Sequence, residues 1–121
     1  SLSQPTGLEK IALARSSQII HEYENDPLVH DRMTASFFIN IHQAGIDAIA
    51  RVKELEIPIL LMHGSEDRLT SPQGSKDFYT NARSNVSFHL LEGLYHEIHN
   101  EPEKNEVFKT QLDWINKVLV N

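Results

Sequence analysis

The stretch that decides the fold is IPILLMHG, residues 57–64. It is short and almost continuously apolar, with Pro58 near its start and Gly64 at its end. A run without polar alternation is typical of a strand that is buried on both faces, as strands of parallel sheets are. The sequence therefore predicts such a strand here.

A second strand is predicted over VSFHLL, residues 86–91. Between the two strands, Ser71 is suited to cap a helix that runs to about Ala82. Pro72 suits its first position, where the missing N–H costs no hydrogen bond. A crossover of this length allows the strands to pair in parallel. The predicted fold class is therefore α/β.

Helical patterns flank this unit on both sides. Apolar residues recur at helical spacing from Thr34 to about Glu54, and again from about residue 103 to residue 120. Nearer the start, Thr6 and Glu9 fit a capping box, which predicts short helices over residues 9–15 and 16–24. The segment ENDPLVHD, residues 24–31, then predicts a break.

Composition excludes several function classes. The chain has 121 residues, 40% hydrophobic and 23% charged, which suits one globular domain. Its net charge of −6, without a basic cluster, argues against a nucleic-acid partner. The lack of cysteine excludes thiolate catalysis and favours a reducing, cytoplasmic location.

Polar clusters follow both predicted strands. HGSEDRLTSP, residues 63–72, follows the first, and EGLYHEIHNEP, residues 92–102, follows the second. The carboxyl ends of neighbouring parallel strands meet at one edge of a sheet, so we expect Asp67 and His96 to lie together. A carboxylate can orient an imidazole that acts as general base. The competing interpretation is that neither residue is catalytic, because a loop aspartate usually caps a turn and a loop histidine usually lies on the surface.

Other acidic and histidine residues lie near these two in the sequence. Asp67 is preferred to Glu66, since its short side chain holds a fixed geometry and can also bond local backbone. His63, at a strand end, could support the site indirectly, whereas His99 is interpreted as a bystander. The His96–His99 interval of three does not match the H-E-x-x-H zinc signature. The sequence therefore predicts no metal and no cofactor.

Two long stretches resemble a known family. PILLMHGSEDRLTSPQGSKDFY (58–79) and LLEGLYHEIHNEP (90–102), followed by an amphipathic helix, resemble the carboxyl-terminal part of α/β-hydrolases. The most similar group is the monoacylglycerol lipase and lysophospholipase-like branch of serine hydrolases. The resemblance implies that Asp67 and His96 are the acid and the histidine of a Ser-Asp-His triad, and that Leu69 lies near the acyl or leaving-group pocket. It also implies that residues 1–33 end a helical cap and that residues 34–121 form the last part of the hydrolase core.

The sequence departs from that family at the nucleophile. None of its glycines begins the G-x-S-x-G elbow that carries the catalytic serine. The triad order Ser, Asp, His would place that serine before Ser1. We therefore expect the carboxyl-terminal portion of a serine ester hydrolase, inactive as this chain alone.

This interpretation has implications for partners. The hydrolase would act on a small lipid ester, an acylglycerol or a lysophospholipid, with peripheral membrane contact through the cap. It would need the amino-terminal portion of the hydrolase or a partner chain. The alternatives are a non-catalytic module that binds a partner or lipid, and another chemistry of the same fold, such as that of a thioesterase or peptidase.

Overall fold

A computed structural model describes residues 3–120 of the chain. Its strands and α-helices alternate in the manner of an α/β protein. In chain order they are β1 (Ser3–Pro5), α1 (Ser17–Asn25), β2 (Arg32–Thr34), α2 (Ala35–Arg51), β3 (Ile59–Gly64), α3 (Pro72–Asn81), β4 (Val86–Leu91) and α4 (Lys104–Val120).

The centre of the fold is the predicted parallel pair, which the structure confirms. β3 and β4 pair from Ile59 opposite Val86 to Gly64 opposite Leu91. β4 has the predicted bounds, whereas β3 begins two residues later than the apolar run. The prediction that β3 is buried on both faces was wrong for the described chain, because residues 59–63 are half-buried. The reason is that β4 is its sole strand partner within residues 3–120.

The helices around this pair begin where the sequence predicted. The Thr34 hydroxyl caps α2 by accepting a hydrogen bond from the backbone N–H of Phe37, at 3.1 Å. α2 continues as a 3-10 turn at Val52–Glu54. Ser71 precedes α3 with an extended backbone, but its hydroxyl makes no capping bond. On the other side, α4 contacts β4 where the Trp114 indole N–H donates to the Ser87 hydroxyl, at 3.2 Å.

The amino-terminal predictions needed two corrections. The capping box at Thr6 was wrong, because Gly7 has a φ of 67° and turns the chain away from a helix. Thr6 instead accepts a hydrogen bond from the N–H of Leu8, and only Lys10–Ala12 forms a single 3-10 turn. The antiparallel pairing of β1 with β2 was not predicted.

One buried hydrophobic cluster includes residues of the segment that follows β4. Leu94, Ile98 and Val107 form a buried cluster, against which Met62 and Leu91 pack. Two members of this cluster, Leu94 and Ile98, flank His96 in the sequence. The backbone on either side of His96 is therefore held by burial. No helix within residues 3–120 combines the length and the apolar character needed to cross a bilayer.

Candidate active site

Asp67 lies in the turn directly after β3, and its two carboxylate oxygens have different partners. Oδ1 accepts hydrogen bonds from the backbone N–H groups of Leu69, at 2.8 Å, and Thr70, at 2.9 Å. This is the local turn contact expected of a loop aspartate. Because one oxygen is occupied by the turn, the orientation of the carboxylate is fixed and Oδ2 is left for other groups.

Oδ2 of Asp67 is the point at which three side chains meet. It accepts a hydrogen bond from the Thr70 hydroxyl at 2.7 Å, and both His63 Nε2 and His96 Nδ1 lie 2.9 Å away. The predicted proximity of Asp67 and His96 is thus observed. The Asp67 side chain is 2% exposed and that of His96 is 37% exposed. The imidazole can therefore be reached from solvent while its carboxylate partner is covered.

Backbone contacts join the segments that carry Asp67 and His96. The N–H of Glu66 donates to the carbonyl of Leu94 at 3.0 Å, and the N–H of Gly93 donates to the Ser65 hydroxyl at 2.8 Å. Gly93 turns the chain after β4 with a φ of 76°, a conformation that favours glycine. These contacts hold the 2.9 Å spacing between Asp67 and His96 from both sides.

An ion pair between an exposed arginine and a buried glutamate supports the segment around His96 from the amino-terminal part of the chain. Glu101 is 1% exposed, and one of its carboxylate oxygens lies 2.5 Å from Arg15 Nε. The other accepts hydrogen bonds from the N–H of Arg15 at 3.0 Å and the N–H of Tyr95 at 3.3 Å. The N–H of Glu97 also donates to the carbonyl of Leu13, at 2.7 Å. Both neighbours of His96 are therefore tied to a distant part of the sequence.

The environment of Asp67 favours its ionised form. Burial raises the pKa of the carboxyl group, but hydrogen bonds from the N–H and hydroxyl of Thr70, from His96 and from the N–H of Leu69 outweigh that effect. The net result lowers the pKa of Asp67 from 3.8 to about 2. An ionised Asp67 can only accept hydrogen bonds, so each imidazole nitrogen facing it must carry a proton.

This lowered pKa predicts a pH-dependent stability. A carboxyl group whose pKa is lower in the folded state stabilises the fold above its unfolded pKa and loses that contribution as the pH falls through its folded pKa. For Asp67 the contribution is on the order of 2 kcal/mol at neutral pH, with about 1 kcal/mol lost by pH 3. Urea unfolding of the wild type and Asp67→Asn at pH 6, 4 and 3 measures it. The wild type's advantage should shrink only below about pH 4; an unchanged difference at pH 3 would contradict the assignment.

Of the other residues singled out in the sequence, His63 lies at this centre and His99 does not. A shallow cavity of about 190 Å³ is lined by Met62, His63, Gly64, Asp67, Thr70 and His96. It is smaller than the roughly 300–1,000 Å³ of typical ligand pockets. Leu69 donates its N–H to Asp67 but is not among the residues lining this cavity, so its substrate contact stays a prediction.

His99 lies elsewhere, with Nε2 2.7 Å from the Gln111 amide nitrogen and its ring against Phe108. Within residues 3–120, no group of three or more His, Asp or Glu side chains is arranged to hold a metal ion.

A family model described as "Serine aminopeptidase, S33" matches residues 1–103 of the chain. The chain belongs to this family of α/β-hydrolases. This confirms the family and fold predicted from 58–79 and 90–102.

Individual relatives agree with this assignment. The chain is 32% identical over 110 residues to a monoacylglycerol lipase of Mycolicibacterium smegmatis, covering 89% of the chain and 39% of that protein. It superposes on the crystal structure of a Paleococcus ferrophilus monoacylglycerol lipase with a TM-score of 0.82 and 29% identity, over 94% of the chain and 45% of that structure. A monoglyceride lipase of Saccharomyces cerevisiae, solved with a substrate analog, shares the fold with a TM-score of 0.85 and 21% identity, over 96% of the chain and 44% of that structure. The chain thus spans less than half the length of each of these three proteins.

Sequence reasoning missed three side chains that support the Asp67–His96 pair in this hydrolase fold. Thr70 and Ser75, whose hydroxyl lies 2.7 Å from His63 Nδ1, carry no distinctive sequence signal, and Glu101 is one of several acids before Pro102. The available signal was spacing, because a loop aspartate commonly accepts hydrogen bonds from backbone N–H groups two and three residues further on, as Asp67 does from Leu69 and Thr70. No local pattern marks Glu101, whose partner Arg15 is 86 residues away.

Proposed function

We propose that this chain provides the acid and the general base of a Ser-Asp-His triad in a carboxylic ester hydrolase. The observation that carries the proposal is the 2.9 Å contact between Asp67 Oδ2 and His96 Nδ1. The carboxylate is buried and ionised, while the imidazole is accessible. That combination suits a base whose tautomer is held by a fixed acid.

The proposed roles of Asp67 and His96 follow from which imidazole nitrogen of His96 carries the proton. Because Asp67 Oδ2 only accepts, His96 carries its proton on Nδ1 and keeps a lone pair on Nε2. Nε2 removes the proton of the serine nucleophile as the serine oxygen attacks the ester carbonyl. The resulting imidazolium then protonates the departing alcohol, and His96 next deprotonates the water that releases the acid. Asp67 stays ionised and stabilises the imidazolium throughout.

The serine itself is proposed to lie outside residues 1–121. No G-x-S-x-G motif occurs in this sequence, so the nucleophile must come from another segment of the protein or from a partner chain. We propose that residues 1–33 end a cap over the substrate cleft, and that residues 34–121 complete the catalytic core. The cap is also where we propose peripheral membrane contact.

The proposed substrate is a small lipid ester, an acylglycerol or a lysophospholipid. Similarity to proteins named monoacylglycerol lipase and monoglyceride lipase supports this class. The family description names an aminopeptidase, which makes an amide substrate the specific competitor. Release of glycerol from a monoacylglycerol, compared with release of amine from an amino-acid anilide, decides between the two.

The test of this function uses a fluorophosphonate probe, which labels an activated serine. In the complete protein that carries these residues, we expect one serine of a G-x-S-x-G segment to be labelled and labelling to be lost in His96→Ala. His99→Ala is the matched control, because His99 contacts Gln111 rather than Asp67. A protein that has the elbow but is never labelled would support the non-catalytic alternative, and labelling that survives His96→Ala would remove His96 from the mechanism.

A further inference from the structure

A second histidine contacts the same carboxylate oxygen as His96. His63, the residue before Gly64 at the end of β3, places Nε2 2.9 Å from Asp67 Oδ2. Its other ring nitrogen, Nδ1, lies 2.7 Å from the hydroxyl of Ser75 in α3. The side chain of His63 is 13% exposed. The imidazole is thus enclosed between the acid and a helix, with both ring nitrogens occupied.

The protons of this arrangement can be assigned by elimination. Asp67 is ionised and only accepts, so His63 Nε2 must donate. In the neutral imidazole Nδ1 then carries the lone pair and accepts the hydrogen of the Ser75 hydroxyl. The result is a directed chain of hydrogen bonds from Ser75 through His63 to Asp67.

We propose that His63 is a positioning residue for the Asp67–His96 pair and that Ser75 fixes its tautomer. His63 shares the oxygen that binds His96, so it limits how strongly that oxygen can accept from His96 Nδ1–H. It also covers one side of Asp67, which keeps Oδ2 from turning to water. The inference rests on the proposed triad for its consequence in catalysis, but its contacts exist independently of the nucleophile.

The direct test observes protons rather than activity. In protein labelled with ¹⁵N-histidine, long-range NMR correlations report which nitrogen of each imidazole is protonated. We expect His63 to be protonated on Nε2 and His96 on Nδ1. In His63→Leu, which removes the donor while keeping an apolar group of similar reach, the His96 Nδ1–H resonance should move downfield, because Oδ2 has lost a competing donor. His63→Gln, which retains an N–H donor, should restore it toward the wild-type position.

Two further variants distinguish a change in hydrogen bonding at Asp67 from a general structural effect. Ser75→Ala leaves the His63 imidazole in place and should shift the His96 Nδ1–H resonance in the same direction but less. Without the Ser75 hydroxyl, His63 is less polarised and its Nε2–H donates more weakly to Asp67. His99→Gln removes a nearby histidine without touching Asp67 and should leave the resonance unchanged. An unmoved His96 resonance in both His63→Leu and Ser75→Ala would overturn the proposal, as would a His63 protonated only on Nδ1.

In the complete hydrolase, the same variants have a kinetic signature. His63→Leu should lower kcat by roughly 10- to 100-fold with KM little changed, because Asp67 Oδ2 is then free to turn toward water and His96 loses its fixed orientation. Losses of this size follow when the outer partner of a metal-bound imidazole is removed. His63→Gln should recover part of that loss. If the His96 Nδ1–H resonance moves downfield in His63→Leu but no form of the protein hydrolyses the substrate, the proposed enzyme is refuted and the positioning contact is supported. If the rate of hydrolysis is unchanged in His63→Leu, the positioning role is refuted.

Discussion

Replacing Asp67 by Asn is expected to lower kcat about 10⁴-fold in the complete hydrolase, because it moves the proton of the neutral His96 imidazole from Nδ1 to Nε2. The Asp67 Oδ1 position accepts from the N–H groups of Leu69 and Thr70. An asparagine must keep its carbonyl oxygen there, which turns its NH₂ group toward His96. An N–H donor facing His96 Nδ1 selects the tautomer protonated on Nε2, which cannot accept the proton of the nucleophile.

Initial-rate kinetics on a monoacylglycerol measure this effect, and imidazole ¹⁵N shifts show its cause. Glu66→Gln is the matched control: it removes the neighbouring carboxylate charge at an exposed position and should change kcat less than about 3-fold. The fold should survive Asp67→Asn, because the turn contacts at Oδ1 are retained. A variant with normal tautomer and normal kcat would show that Asp67 is only a turn residue.

Gly64→Ala is the second change with a large expected effect, because the site has no room for a methyl group. A Cβ atom at residue 64 would lie 2.3 Å from the carbonyl oxygens of both Leu94 and Tyr95. These are backbone atoms, which cannot rotate away as a side chain could. The segment that carries His96 would have to move, so we expect a loss of about 3 kcal/mol or more in the free energy of unfolding. We also expect a loss on the order of 100-fold in kcat from misplacement of His96.

Gly45→Ala is the control for this substitution. Gly45 lies within α2, and an added Cβ there would meet no atom within 4 Å. The same chemical change should therefore stabilise the protein, by about 0.5–1 kcal/mol, through helix propensity alone. Urea denaturation of both variants gives the comparison. If both glycines tolerate alanine equally, the contact between the end of β3 and the Leu94–Tyr95 backbone is not as close as described.

The sequence predicted the elements whose signals are local. Neighbours within a few residues determine the apolar runs of β3 and β4, the helical spacing from Thr34 to about Glu54, and the Ser71-Pro72 helix start. The proximity of Asp67 and His96 followed from topology alone, since parallel strands bring their carboxyl ends to one edge. The roles of these two residues in catalysis remain a prediction.

The features that escaped prediction have distant causes. β1 and β2 are three-residue strands whose pairing depends on a partner about 30 residues away, so neither carries a pattern of its own. The capping box failed on one backbone angle at Gly7. One Asp67 oxygen contacts both His63 and His96, and α3 packs so that Ser75 meets His63; no spacing rule supplies either contact.

The ion pair between Arg15 and Glu101 has a consequence for the order of folding. The β3–α3–β4 unit closes over a short stretch of chain, whereas the Arg15–Glu101 contact closes a loop of 86 residues. Closing a longer loop loses more chain entropy, so the unit that holds Asp67 should form first and the amino-terminal segment should dock late. The same segment should also detach first in native-state fluctuations. The amide of Glu97, bonded to Leu13, should then exchange its hydrogen for deuterium sooner than the amides of β4. The proposed acid and the proposed base would thus be held for different lengths of time. Asp67 would stay in position while the contacts that support the His96 segment repeatedly break and re-form.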